Sequence, residues 1–241
     1  MLNISIIKKG KKMKNLKSIT ILLTAGLLIS VCGQLKSETV YSDKIKPSNK
    51  EETISTPDEA LAELKKGNKR FMDGKQINTN YKEQIELTKS DQHPHSLILS
   101  CLDSRVPPEI IFDQGIGNVF VARVAGNIED PNILGSMEFA TKVKGTKLIV
   151  VMGHNYCGAV NGAVQNAVLG NLTQLVDQIK PAITGDNADL HLDATAKNNV
   201  KMTIADILKG SPVIAELVKE NKLKIVGAYY DLTTGKVDFM E

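Results

Sequence analysis

Residues 96–105 read SLILSCLDSR. An apolar run this short, bounded by serines, has the pattern of a strand buried on both faces; a helix needs about 10 residues and a 3.6-residue period. The run stops at Ser100, and the next five residues supply a thiol, a carboxylate and a guanidinium in Cys101, Asp103 and Arg105. A second stretch, KLIVVMGHNYCG at residues 147–158, repeats the arrangement: an apolar run to Met152, then His154 and Cys157. These two strand ends decide the fold class, because open α/β sheets hold ligands beyond the carboxyl ends of their strands.

On either side of these stretches, further β-rich runs stand at Asn118 to Val124, Leu223 to Tyr229 and Lys236 to Met240. Between them fall helical patterns at Pro108 to Phe112, Pro131 to Val143, Ala159 to Val168, Asn171 to Ile179, Asp189 to Lys209 and Pro212 to Asn221. Strand and helix alternate and the strands are nearly continuously apolar, so the expected fold is α/β, with a mostly parallel central sheet flanked by helices. An N-terminal helical arm precedes it. Thr56 is its N-cap, Pro57 its first residue and Glu59 the third, a capping-box pattern, and the apolar residues Ala60, Leu61, Leu64 and Phe71 carry it to Met72. A short helix is expected at Tyr81 to Lys89.

The 241 residues carry a formal charge of +3, but Lys8, Lys9, Lys11, Lys12, Lys14 and Lys17 all precede one apolar segment, Ser18 to Val31. Residues 1–31 hold those six lysines and no acids, so the remainder stands at −3. Nucleic-acid binding needs a basic face on the folded domain, and that class is therefore excluded. The apolar segment is 14 residues long, short of the ~20 that span a bilayer, and reads as a secretory h-region. Residues 1–31 are thus expected to be a signal peptide, with Met1 or Met13 as its start. LISVCGQ places Cys32 where bacterial lipoprotein signals, which this leader resembles, carry the acylated cysteine. Val31 stands there in place of the usual small residue. The expectation is an exported protein of the periplasm or cell envelope, touching membrane only through its leader or a lipid at Cys32. Residues 32–55, rich in Ser, Thr, Lys and Glu, read as a flexible tether, and residues 56–241 as the folded domain.

Zinc takes thiolate sulfur and imidazole nitrogen in a tetrahedral shell, and a catalytic site leaves one of the four positions open. Cys101, His154 and Cys157 offer three such ligands. With two thiolates and a neutral histidine the site is close to neutral, so its water is less acidified than in a three-histidine site and activity is expected to rise toward alkaline pH. Asp103 has two competing places: the fourth zinc position, or a bidentate pair with Arg105 that leaves the metal open. A Cys101–Cys157 disulfide is the rival reading in an oxidising compartment, but it uses neither His154 nor the Asp-Arg pair. A purely structural zinc likewise has no use for that pair.

These residues resemble the β-class carbonic anhydrases. CLDSR (101–105), ARVAGN (122–127), GSMEFA (135–140) and GHNYCGA (153–159) stand in that family's order and spacing. The resemblance implies one Zn²⁺ per chain, held by Cys101, His154 and Cys157. It implies reversible hydration of CO₂ to bicarbonate by a zinc hydroxide that the Asp103–Arg105 dyad gates and orients. Gln92, Phe120, Ala125, Phe139 and Gly158 match its substrate pocket, with Phe139 in place of a frequent tyrosine. His93 and His95 are candidates for the proton's exit. A homodimer or homotetramer is implied as well, in which the N-terminal helix lies across the neighbour or covers its own core. Two other functions stay open on the same scaffold: hydrolysis of a related heterocumulene such as CS₂ or COS, and a zinc-binding module without catalysis.

Overall fold

Strand β1 (Ser96–Ser100) lies inside a five-stranded sheet, between β2 (Val119–Arg123) and β3 (Leu148–His154). Strands β4 (Lys224–Tyr230) and β5 (Val237–Met240) complete the order β2-β1-β3-β4-β5; all pairings are parallel except that of β4 with β5. The computed structural model describes residues 54–185 and 191–240. The leader, Cys32 and nearly all of the 32–55 tether lie outside the described residues.

All residues of β1 and β3 are buried, as their unbroken apolar runs require when both sheet faces are covered. The pleat sends alternate side chains to opposite faces. Ile98, Val150, Met152 and Ala228 pack with Ala60 and Leu64 of α1 (Pro57–Met72) and Ile111 of α3 (Pro108–Ile111). Leu97, Leu99, Ile149 and Val151 face the other way. They meet Met137 of α4 (Pro131–Glu138), Val200 and Ile207 of α7 (Leu192–Gly210) and Ile214 of α8 (Pro212–Lys219). Helix α2 (Tyr81–Thr88) buries no residue.

Helix α1 begins at the expected capping box: Thr56 Oγ1 accepts from the Glu59 N–H, and the Glu59 carboxylate accepts from the Thr56 N–H. It covers its own chain's core. Gly67 is the closest approach, where a Cβ would stand 1.7 Å from the Phe112 carbonyl oxygen, so only glycine lets α1 lie this low. Beside it the buried Asn68 amide donates to the carbonyls of Ile111 and Gly235 and accepts from the Val237 N–H.

Most elements end within a residue or two of the sequence reading, helix α7 starts three residues late, at Leu192, and three further differences have a visible cause. Strand β3 runs two residues beyond Met152, because Gly153 and His154 pair with Tyr229 and Tyr230 of β4, so His154 is itself a strand residue. The pattern at 131–143 divides into α4 and one wider turn, Phe139–Val143. Helix α5 (Gly158–Val164) ends four residues before Val168: Asn166 adopts a left-handed φ of 53°, and the N–H groups of Asn166 and Ala167 return to the carbonyls of Ala163 and Gly162. That is a Schellman stop, for which asparagine is suited. Helix α6 (Gly170–Ile179) follows. Among the described residues no helix is long and apolar enough to cross a membrane.

Candidate metal centre

The carboxyl ends of β1 and β3 are adjacent, and each delivers its chemistry within one residue of the last ladder pair. Cys101 follows Ser100 directly and His154 closes β3. A tight turn through Tyr156, at φ 53°, then places Cys157 at the N-cap of α5. The Asn155 side chain anchors that turn, donating to Asp231 and accepting from the Leu232 N–H. Cys101, His154 and Cys157 are all buried, and a ligand atom of each lies within 4.8 Å of the others.

The donor set fits a tetrahedral metal. The two sulfurs stand 3.9 Å apart, far beyond the ~2.05 Å of a disulfide. Two sulfurs bound to one zinc at ~2.3 Å each would be separated by about 3.8 Å across a tetrahedral edge. His154 Nδ1 lies 2.7 Å from the Asn155 carbonyl oxygen. That oxygen can only accept, so Nδ1 carries the hydrogen and Nε2 of the neutral ring presents a lone pair. Nε2 is buried with no hydrogen-bond partner, a costly state for a polar atom unless something binds it.

The thiols point the same way. The Cys157 thiol and the backbone N–H groups of Asp103 and Gly126 hold the Cys101 thiol well below the ordinary thiol range, against its burial. The Cys101 sulfur beside it, together with burial, pushes Cys157 up. Two touching thiols resist double ionisation, and a divalent cation between them removes that obstacle.

Asp103 stands in its Arg105-paired place. Arg105 Nε donates to Oδ1 at 2.9 Å and Nη2 to Oδ2 at 2.7 Å, and the Arg105 backbone N–H adds a third bond to Oδ1 at 2.9 Å. The guanidinium holds this carboxyl down at about 2, against a smaller upward push from burial. Arg105 Nη2 also reaches the Tyr156 carbonyl at 3.4 Å, linking the dyad to the turn between His154 and Cys157.

A functional residue that the sequence reading left without a role is Arg123, the last residue of β2. Its guanidinium donates to the carbonyls of three consecutive residues, Cys101, Leu102 and Asp103. The signal was there, a cation closing an otherwise apolar strand within the ARVAGN stretch, but only the parallel register of Arg123 with Ser100 shows what it reaches.

Five residues were assigned to a substrate pocket, and the chain brings two of them to the cluster. Gly158 follows Cys157, and Ala125 precedes Gly126, whose N–H contacts the Cys101 sulfur at 3.4 Å. The other three lie elsewhere. Phe120 pairs with Leu97, four residues before Cys101, or about 13 Å back along the strand. It packs edge-on to Phe139, ring centroids 6.4 Å apart, in a groove of about 640 Å³ at the β2 edge of the sheet. Gln92 is exposed and precedes the amino end of β1. His93 is exposed beside Asp91, while His95 is buried near that same end, held between Ser96 and Gln114. His95 therefore stands at the opposite end of β1 from Cys101.

The carbonic anhydrase family profile matches residues 96–237. The chain is 36% identical over 190 residues to carbonic anhydrase 2 of Mycobacterium tuberculosis, spanning 76% of this chain and 92% of that protein. It is 28% identical over 214 residues to beta carbonic anhydrase 3 of Arabidopsis thaliana, spanning 79% and 81%. Among solved structures it is similar to a tetrameric β-carbonic anhydrase of Sordaria macrospora, with TM-score 0.59, 26% identity and coverage of 66% and 90%. It is also similar to a Coccomyxa β-carbonic anhydrase in complex with acetazolamide, with TM-score 0.60, 25% identity and coverage of 74% and 85%.

Proposed function

The chain belongs to the β-class carbonic anhydrase family, and on that footing we propose a zinc-dependent, reversible conversion of CO₂ and water to bicarbonate and a proton, worked by the cluster at the carboxyl end of the sheet. The observation that carries the zinc reading is the buried, unpartnered Nε2 of His154 beside two unjoined cysteines. Cys101, His154 and Cys157 would hold Zn²⁺, which would supply a Lewis acid able to acidify a water molecule.

The remaining work belongs to the chain. Arg105 engages both oxygens of Asp103 and so keeps that carboxylate out of the fourth position. Held there as an anion, Asp103 can still accept a hydrogen bond and orient the attacking water. Arg123 fixes the carbonyls on either side of Leu102, which sets how far Asp103 stands from Cys101. The small side chains of Ala125 and Gly158 leave room beside the cluster for an apolar molecule as slim as CO₂.

Gln92, Phe120 and Phe139 enter this reading through a second copy. Two-fold pairing of β2 edges runs the strands antiparallel, so the amino end of one copy's sheet lies beside the carboxyl end of the other's. That arrangement carries one copy's Phe120 and Gln92 toward its neighbour's cluster, and supports a homodimer, or a homotetramer built from it. The tetrameric relative from Sordaria macrospora is consistent with such an assembly. Export and acylation at Cys32 complete the proposal, on the strength of the lysine-rich leader and its 14-residue, mainly apolar segment. Mass spectrometry of the mature N-terminus tests them, and an unmodified, uncleaved leader overturns them.

A stopped-flow hydration assay with equimolar zinc tests the activity. The expected rate depends on zinc, rises toward alkaline pH and vanishes in Cys101→Ser. Zinc-bound protein that hydrolyses CS₂ or COS but does not hydrate CO₂ would favour the heterocumulene reading, and zinc without either activity the non-catalytic one.

A further inference from the structure

Helix α7 carries an asparagine in its interior, Asn199, at 2% exposure. Asparagine is a poor helix former, and a buried amide is costly unless it is hydrogen-bonded. Its side-chain Nδ2 donates across 73 residues of sequence to the Gly126 carbonyl, at 2.7 Å. Gly126 is itself constrained. Its φ is +73°, and a Cβ there would stand 2.5 Å from Ile179 Cδ1 and 3.3 Å from Ala159 Cβ, so no side chain fits and its position is set through its backbone. The Gly126 N–H then meets the Cys101 sulfur at 3.4 Å. Helix α7 is firmly seated against the strand that bears the histidine. A Cβ on Gly153, the residue before His154, would stand 2.8 Å from Val200 Cγ2, the residue after Asn199.

We propose that Asn199 is a positioning residue for the metal centre: it pins Gly126 so that the glycine N–H stays aimed at the Cys101 sulfur. An N–H directed at a thiolate stabilises the anion and withdraws electron density from the sulfur that faces the metal. Partners of metal ligands typically change metal affinity by 10–100-fold when removed. Asn199 acts at one remove, through a single backbone residue. The inference rests on the reading of Cys101, His154 and Cys157 as zinc ligands.

The test is zinc affinity of the whole chain, measured by competition with a chromophoric chelator, for wild type, Asn199→Leu and Thr203→Val. Thr203 is buried on the same helix, one turn further on. Asn199→Leu should bind zinc about tenfold more weakly and, loaded with Co²⁺, should shift the sulfur-to-metal charge-transfer band. Thr203→Val should lower thermal stability while leaving affinity and band where they are. Equal affinity and an unmoved band in Asn199→Leu overturn the inference. Should that variant not fold, Asn199→Ala takes its place. The wild type loaded with ¹¹³Cd²⁺ gives an independent reading, a scalar coupling from the metal to the Gly126 amide proton, and absence of that coupling also overturns it. Wild type that binds no equimolar metal sinks the zinc reading instead, so the two failures are distinct.

Discussion

At the carboxyl end of the sheet the chemistry-bearing side chains are tied down by their own chain. Asp103 is gripped by Arg105, the 101–103 carbonyls by Arg123, His154 by the Asn155 carbonyl and Cys101 by the Gly126 N–H. At the β2 edge Phe120 leans on Phe139, Phe139 is about half exposed and Gln92 faces outward from the amino end of β1. The first region is built from the residues of one copy; the second presents a half-exposed aromatic ring and an exposed polar amide. Metal and dyad are on this reading a property of the monomer, while the substrate pocket is a property of the assembly.

The severest disruption of this division lies at the carboxyl end. Cys101→Ser removes one of the two neighbouring sulfurs that, with the His154 ring, would hold the metal. Hydration should fall to the buffer rate, with zinc content by atomic absorption falling alongside it. Arg105→Ala should leave zinc bound but release Asp103 toward the metal, lowering kcat about 10–100-fold. Arg105→Lys should recover little of this, because an ammonium cannot reproduce the bidentate grip. Full activity in Arg105→Ala would mean that the dyad does not hold the site open.

At the other region, Phe139→Glu places a charge in the β2-edge groove. Sedimentation should show a monomer that keeps its zinc, with hydration reduced by at least about tenfold, the cost of one lost hydrogen bond to substrate. A monomer of undiminished activity would mean that the second copy contributes nothing to the pocket.

A much smaller change is expected at the border of the carboxyl end. Burial, with Asp206 and Asp130 nearby, raises the Glu129 carboxyl above its ordinary value. A raised acid favours the folded state only while protonated, so its ionisation costs stability as pH rises from about 4.5 through the shifted value. Glu129→Gln should therefore raise Tm by less than about 2 °C at neutral pH, with the gain disappearing below about pH 4. A gain that persisted in acid would assign it to another cause.

The strands and the residues of the Cys-His-Cys cluster were legible in the sequence for one reason: each was a local pattern. β1 was read to the residue, since Ser96 and Ser100 bound an unbroken apolar run, and the α1 capping box lies within four consecutive residues. Boundaries failed where a distant partner decided them. His154 joined β3 because Tyr230 of β4 was there to pair with it, and α5 stopped early because Asn166 could turn left-handed. The site divides in the same way. Cys101, His154 and Cys157 stood out by residue type and spacing, whereas Arg123 and Asn199, ordinary members of a strand and a helix, acquire roles only from backbone atoms about 20 and 73 residues away.

The order of amino acids was enough to specify an alternating α/β chain, two strand ends bearing Cys-x-Asp-x-Arg and His-x-x-Cys, and a lysine-rich N-terminal stretch that accounts for the positive charge. Those are matters of periodicity, composition and short-range spacing, which survive without a third dimension. It took the folded arrangement to pair Asp103 with Arg105, leaving the cluster open, and to carry Gln92, Phe120 and Phe139 away from it. Both depend on which strand lies beside which, and that register is set by packing between segments the chain order keeps far apart.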